Sequence, residues 1–235
     1  MTYPIDLRQG DYRTALADVV SADLLCCDPP YSSRTHASQR TGASIRVPTI
    51  KYDAIDQAWC QEFAASWAPR VRNWVVLFCD HTAFNWHDAA WRQQGWLTFA
   101  PVFLKSNPTP RFSGDGPAFA LEFLLVARPR RADVRPRGSL PAVYESAIGD
   151  SRGGLGISGR KPLTLIRAVV RDYSLPGDLV VDATCGSGTT LIAAALEGRR
   201  AIGAELDATT YATALRRIQH GDHAARQPEQ GTLGL

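Results

Sequence analysis

The tetrapeptide Asp28-Pro29-Pro30-Tyr31 follows directly on an apolar run at residues 22–27. A strand ending in this way sets an acid, two prolines and an aromatic ring at one edge of a sheet. Proline has no N–H and a fixed φ, so the turn is stiff and its carbonyls are free to accept. A carboxylate and such a carbonyl together accept both hydrogens of a planar exocyclic NH2 group, and the tyrosine ring offers a face on which a base stacks. The plain alternative is an Asp-Pro-Pro turn with a packed tyrosine. The apolar strand before it, and a glycine loop further along the chain, tell against that reading.

The loop lies in Leu179-Val180-Val181-Asp182-Ala183-Thr184-Cys185-Gly186-Ser187-Gly188-Thr189-Thr190, ahead of an alanine-rich stretch. A strand that ends in Asp, followed by Gly-x-Gly, opens a helix whose backbone N–H groups face the sheet edge. Glycine permits close backbone approach, and open α/β sheets bind ligands outside the carboxyl ends of their strands. The next apolar run ends at Glu205, about twenty residues on, where an acid suits ribose hydroxyls. A tight strand-to-helix turn without a ligand is the alternative. The lack of a full G-x-G-x-x-G, and of a Gly-Lys-Ser/Thr loop, argues against dinucleotides and nucleoside triphosphates.

These features need elements to hold them side by side. Apolar runs at 5–9, 22–27, 74–79, 98–104, 119–127, 179–183 and 201–205 read as strands. Helical patterns cover 12–19, 56–68, 83–94, 162–173, 189–197 and 208–219. In 162–173 proline takes the first turn, and Leu163, Leu165, Ile166, Val169 and Val170 form the apolar stripe. Such alternation is the mark of an α/β sheet. The chain has 235 residues, 45% hydrophobic and 21% charged, which excludes wholesale disorder. Its length suits one large domain, expected over 1–220, that buries about 70% of its open-chain surface. No uncharged apolar run reaches the roughly 18 residues of a membrane span, and residues 1–6 lack signal-peptide character. A soluble, cytoplasmic protein is expected.

Charge is uneven along the chain. Of the 26 basic residues 23 are arginine, the better residue for bidentate phosphate and base contacts. Residues 32–52 carry Arg34, Arg40, Arg46 and Lys51 with no acid, and residues 128–161 carry eight basic residues against three acids. Both stretches read as loops. Solvation is the bland explanation for either alone, but two such loops around one core favour a polyanionic partner. The five cysteines show neither disulfide nor zinc spacing, and those at 26, 27 and 79 read as small buried hydrophobes. Asp80 and His81 follow the strand at 74–79 and so belong to the same edge as Asp28. His36, His87, His220 and His223 show no ligand spacing and read as solvated. The tryptophans at 59, 67, 74, 86, 91 and 96 read as packing. The segment from 221 onward reads as a disordered tail.

Asp28-Pro29-Pro30-Tyr31 ahead of Gly186-Ser187-Gly188-Thr189-Thr190 resembles the beta-class S-adenosylmethionine-dependent amino-DNA methyltransferases, in which DPPY also precedes the glycine loop. The resemblance takes in Gly10-Asp11, Lys105-Ser106-Asn107-Pro108, the Glu122 strand and Lys161-Pro162-Leu163. It departs at Ala183-Thr184-Cys185-Gly186, where the family often has a Pro-Phe, and at residues 157–160, where it often has His-Pro-Thr. It implies a Rossmann-like α/β fold with a mostly parallel, seven-stranded sheet, helices on both faces and a circularly permuted motif order. It further implies S-adenosylmethionine as methyl donor. Asp11, Lys161, residues 182–190 (Asp182, Ala183, Thr184, Cys185, Gly186, Ser187, Gly188, Thr189, Thr190) and Glu205 are then cofactor-binding. Asp28, Pro29, Pro30 and Tyr31 are catalytic on a flipped base. DPPY favours adenine N6, since the family's cytosine-N4 enzymes more often begin with serine. DNA contacts are expected from about 32–52, 107–117 and 128–159. Pairing as a homodimer and, through Gln230-Gly231-Thr232-Leu233-Gly234-Leu235, binding of a bacterial sliding clamp are further expectations. RNA, protein glutamine and a non-catalytic DNA-binding role are the rival readings.

Overall fold

The computed structural model describes residues 4–33, 53–106, 120–131, 133–136, 138–146 and 160–220. Of the segments expected at DNA, 32–52 lies outside these from 34 on, 128–159 at 132, 137 and from 147 on, and 107–117 throughout; the tail at 221–235, with its clamp-like peptide, falls wholly outside. So do His36 and His223.

Nine strands are described: β1 (Ile5–Gln9), β2 (Ala22–Cys27), β3 (Val71–Cys79), β4 (Leu97–Phe99), β5 (Val102–Lys105), β6 (Leu121–Arg128), β7 (Val143–Ser146), β8 (Leu179–Asp182) and β9 (Arg200–Glu205). The helices are α1 (Tyr12–Ala15), α2 (Gln57–Trp67), α3 (His81–Gln93), α4 (Leu163–Tyr173), α5 (Thr189–Leu196) and α6 (Ala208–His220). The strands form one sheet in the order β1-β9-β8-β2-β3-β6-β5-β7, with β4 also on β6. Strands β1, β9, β8, β2 and β3 run parallel, and β6 turns antiparallel against β3. The architecture is thus Rossmann-like, with nine strands where seven were expected.

The two additional strands have local causes. The run 98–104 is broken at Ala100-Pro101, because proline lacks the donor a continuous ladder needs, and β4 and β5 lie in turn along β6. Val143–Ser146 sits in a polar, basic stretch with little apolar signal. It pairs with β5, and Tyr144 donates to Asp172 Oδ2 of α4 at 2.7 Å.

Strand β2 is buried at every position, as a central strand covered on both faces must be. Its side chains alternate between two cores. Leu25 and Cys27, with Val75 and Leu77, pack beneath α1, α2 and α3 through Leu16, Phe63, Trp67 and Trp91. Leu24 and Cys26, with Val76 and Phe78, pack beneath α4 and α5 through Ile166, Val169, Val170 and Leu191. Carboxylates start the helices of the first face: Asp11, Asp56 and Asp80 each cap a helix with a side-chain bond. The helix expected at 12–19 is shorter, α1 closing after Ala15. All five cysteines are free and buried.

His87 corrects the sequence reading. It is fully buried, with Nε2 3.7 Å from Cys60 Sγ, because α3 turns that face onto α2. Among the described residues, no helix is long and apolar enough to cross a membrane, and no cluster of His, Cys, Asp or Glu could hold a metal ion.

Candidate active site

Parallel pairing fixes which residues share an edge. Gln9 of β1 is in register with Glu205 of β9, and Gly10 N–H donates to the Glu205 carbonyl at 2.9 Å. Asp182 ends β8, and Asp28 follows the last residue of β2. The segments carrying Asp11, Asp28, Gly186 and Glu205 therefore emerge at one carboxyl-end edge. Because β6 is antiparallel, its first residues, Glu122 included, reach that edge as well.

At its centre are four charged side chains and one phenol. Lys161 Nζ donates to Asp28 Oδ2 at 2.7 Å and to the Tyr31 hydroxyl at 2.8 Å. It lies 3.2 Å from Glu122 Oε2, and Lys105 pairs with Oε1 of the same carboxylate. The Tyr31 hydroxyl is 3.1 Å from both Asp28 Oδ1 and Glu122 Oε2. The ammonium of Lys161 stands 5.2 Å from the centres of the Tyr31 and Phe78 rings. Lys161 and Glu122 are buried, whereas the Asp28 side chain keeps 31% of its exposure.

The electrostatics follow from this packing. Desolvation pushes the Asp28 carboxyl up from its ordinary value, opposed by the Lys161 ammonium. Desolvation also acts on Glu122, but Lys161 and Lys105 outweigh it and hold Glu122 at about 2. Burial would lower Lys161, yet Asp28 and Glu122 more than reverse that and raise it. Burial and the neighbouring carboxylates push the Tyr31 hydroxyl far up, so it stays a phenol.

The glycine loop is built from its backbone. Gly186 and Gly188 have φ of 51° and 78°, a region costly for residues with a Cβ. Gly186 N–H donates to Glu205 Oε2 and Asp207 N–H to Oε1, each at 2.9 Å, so Glu205 ties the loop to the end of β9. Burial raises the Glu205 carboxyl, opposed by these N–H donors. Asp182 is buried and pushed up to about 7 by that burial, although Thr190 and the Thr184 N–H bond to it.

The hydroxyls of this loop mostly face inward. Arg217 of α6, buried, bonds the Ser187 hydroxyl at 2.9 Å, the Thr189 hydroxyl at 3.2 Å and the Ser187 carbonyl. Thr190 serves Asp182, and Ala183 N–H meets Cys27 Sγ at 3.3 Å. Cys185 is buried in the core beside α4 and α5. Asp11 caps α1 through Arg13 N–H at 2.8 Å and pairs with the Arg13 guanidinium. Pro29 is buried and Pro30 half-buried. Lys161, expected at the cofactor, stands on Asp28.

Three further residues acquire their partners at the site from the fold. Glu122 is the one acid in an otherwise apolar run, which was its signal. Arg217 is one of two adjacent arginines on a helix, and nothing in its spacing marks it. Asp80 contributes to the edge by support: its Oδ2 accepts from Ser32 N–H at 3.0 Å and from the Ser32 hydroxyl at 2.7 Å, fixing the exit of the DPPY turn.

Residues 151–216 match the N6/N4 methyltransferase family profile, described as DNA methylase. The chain is 28% identical over 204 residues to YubD of Escherichia coli (strain K12), named as a methylase, with 84% of this chain and 83% of YubD covered. It is 24% identical over 231 residues to the type II methyltransferase M.HinfI of Haemophilus influenzae, covering 85% of this chain and 63% of that enzyme. In fold it resembles M1.HpyAVI, solved as a complex with SAM, with a TM-score of 0.67 and 21% identity. That likeness covers 92% of this chain and all of the other. The cytosine-N4-specific PvuII DNA methyltransferase is similar too, with a TM-score of 0.66, 16% identity and coverage of 93% and 87%.

Proposed function

We propose that this chain, an amino-DNA methyltransferase of the N6/N4 family, methylates the 6-amino group of adenine in DNA. The observation that carries the reading is the position of the Asp28 carboxylate. It lies on the same sheet edge as the glycine loop and Glu205, held by Lys161 and still open to solvent on one side.

The residues present fit an adenosine-bearing donor. Among the described residues, no atom lies within 4 Å of where a Gly186 Cβ would stand, the Glu205 carboxylate lies beside it, and the buried Thr184 hydroxyl has no partner. S-adenosylmethionine, when bound, supplies a methyl group on a sulfonium. Glu205 would hold ribose hydroxyls, residues 182–190 would line the donor through their backbone, and Asp11 would close the adenine side.

Asp28 and the Pro29 carbonyl accept the two hydrogens of the substrate amine. That pulls the nitrogen towards tetrahedral geometry and frees a lone pair otherwise delocalised into the ring. The nitrogen bonds the methyl carbon as the carbon–sulfur bond breaks, and one N–H proton leaves to Asp28. Holding the reacting atoms in line is worth about 7–11 kcal/mol. Tyr31, anchored at its hydroxyl, presents a ring face to a base extruded from the duplex.

Residues 1–220 read as one domain, with 32–52, 107–117 and 128–159 contacting DNA. Adenine is supported by the Asp that opens DPPY. The same acceptors also suit the 4-amino group of cytosine, and the fold is shared with a cytosine-N4-specific enzyme.

The test is to incubate the protein with unmethylated DNA and S-adenosylmethionine, then identify nucleosides by mass spectrometry. N6-methyladenine is expected from the wild type. Asp28→Ala should lose about 10²–10³-fold or more in turnover, the range for removing one preorganised hydrogen-bonding group, with cofactor affinity retained. N4-methylcytosine would overturn the base assignment. Absence of any methylated base would overturn DNA as substrate, and loss of cofactor binding in Asp28→Ala would overturn its role.

A further inference from the structure

We infer that Lys161 and Glu122 are positioning residues for the amine site, holding the Asp28 carboxylate and the Tyr31 hydroxyl in place while Lys105 fixes Glu122. This rests on the reading of Asp28 as the acceptor of the substrate amine.

The geometry is one connected network. Lys161 takes one oxygen of Asp28 at 2.7 Å and leaves the other, Oδ1, facing the Tyr31 hydroxyl at 3.1 Å. It also donates to that hydroxyl at 2.8 Å, and Glu122 lies within reach of both. Lys105 and Glu122 share a face because Phe103 and Glu122 are directly opposite across β5 and β6. Two carboxylates and two ammoniums balance. The four come from the ends of β2, β5 and β6 and from the start of α4, so only the closed sheet assembles them.

Burying such a set is a poor way to gain stability. Charged groups give up their hydration, and apolar residues of similar volume often serve as well. Its worth lies in what it does to Asp28. Of the groups facing that carboxylate, Glu122 from β6 disfavours its charge, while Asp182 from β8, Cys26 from β2 and Cys79 from β3 have their own ionisation disfavoured by it. Tyr31 and Lys161 are the groups that favour the Asp28 charge, and among the described residues Lys161 is the cation in contact with it. Without that cation the Asp28 carboxyl binds a proton more readily, and a protonated carboxyl donates where the amine needs an acceptor. Glu122 acts one step behind: it keeps Lys161 from following Asp28 when substrate arrives, and it anchors the phenol whose ring faces the base.

The sign of the pH effect follows. Turnover requires ionised Asp28 and falls as pH drops through its pKa. Removing Lys161 raises that pKa and moves the acid limb to higher pH. Removing the Glu122 charge takes away a neighbour that disfavours the anion, so the limb stays or moves to lower pH.

Lys161→Met, Lys161→Arg and Glu122→Gln would be compared by the pH dependence of kcat, by S-adenosylmethionine affinity, and by 13C NMR titration of protein labelled at the Asp carboxyl carbons. In Lys161→Met the acid limb and the Asp28 carbon titration should both rise by at least one pH unit, with cofactor affinity within threefold. Lys161→Arg should restore the wild-type limb. Glu122→Gln should not raise it, and should increase KM for DNA more than it lowers kcat. If Lys161→Met does not fold, Lys161→Met combined with Glu122→Gln keeps one carboxylate and one ammonium, and its limb should lie above that of Glu122→Gln alone. A tenfold loss of cofactor affinity with an unmoved limb would overturn the proposal and make Lys161 a cofactor contact. A limb moved the same way by both single changes would also overturn it. If the wild type methylates no DNA, the proposed function fails, and the carbon titration still reports whether Lys161 holds Asp28 ionised.

Discussion

Gly203 shows how little room the site leaves around its supports. A Cβ there would lie 2.9 Å from Leu191 Cδ2 and 3.0 Å from the Asp182 carbonyl, one of them backbone that cannot yield. The residue sits in register with Asp182 and two positions before Glu205, so its bareness lets α5 close onto β8 and β9. Gly203→Val should cost about 1–3 kcal/mol as an overpacked site, read as a drop of several degrees in Tm, about 2–4 °C per kcal/mol for this chain length. An unchanged Tm would mean that α5 moves away freely. Gly203 stood plainly in the sequence, but its function as a spacer did not. The close approach comes from Leu191 on another element. Asp28 is the opposite case. Its type and its neighbours Pro29, Pro30 and Tyr31 pointed to the chemistry proposed for it, and the structure added the cation beside it.

Among the elements, α6 lies furthest along the described chain and reaches back to the glycine loop between β8 and α5. Arg217 carries that contact, meeting the Ser187 and Thr189 hydroxyls and the Ser187 carbonyl from a fully enclosed position. Bonds to a charged donor are worth about 1.5–3 kcal/mol each, and their loss leaves buried acceptors unmet. Arg217→Ala should therefore loosen the loop and weaken cofactor affinity by about tenfold, equivalent to 1.4 kcal/mol. Isothermal titration with S-adenosylmethionine would measure it, and an affinity equal to wild type would show that the loop holds itself. The strands carrying the site were legible from apolar runs bounded by turn residues, and β1 and β2 match those runs residue for residue. β7 was not, because its partner β5 and its anchor Asp172 supply what its own sequence lacks. The inward turn of the Ser187, Thr189 and Thr190 hydroxyls was equally hidden, since motif spacing does not say which way a side chain faces.

Across the whole molecule, buried ionisable groups set how stability responds to pH. Burial pushes His87 down to about 4, so between about 6.5 and 4 the unfolded chain binds a proton that the folded one refuses. Stability therefore falls as pH drops through that window, by about 3 kcal/mol in all. Asp182, pushed up to about 7, acts in the opposite sense: between about 4 and 7 the folded chain holds a proton that the unfolded one has lost, so stability falls as pH rises. The two partly cancel in the wild type. His87→Leu should make stability fall more steeply with rising pH across 4–7, and Asp182→Asn, a close match to the protonated acid, should make it rise. Denaturant titrations at several pH values would show the two slopes diverging. Parallel slopes would mean that neither group is shielded from water as the packing implies.

By itself the sequence determined the α/β alternation, the DPPY turn, the glycine loop, the acid at the end of β9 and their meeting at one edge. These are local matters of φ, of missing donors and of strand polarity, all written in neighbouring residues. Only the tertiary structure decided which charges touch. Lys161 lies 133 positions from Asp28, and Glu122 lies 91 from Tyr31. Such partners are chosen by sheet order and by the antiparallel turn of β6. Burial and pairing, which decide whether a carboxylate accepts or donates, exist only once the sheet has closed.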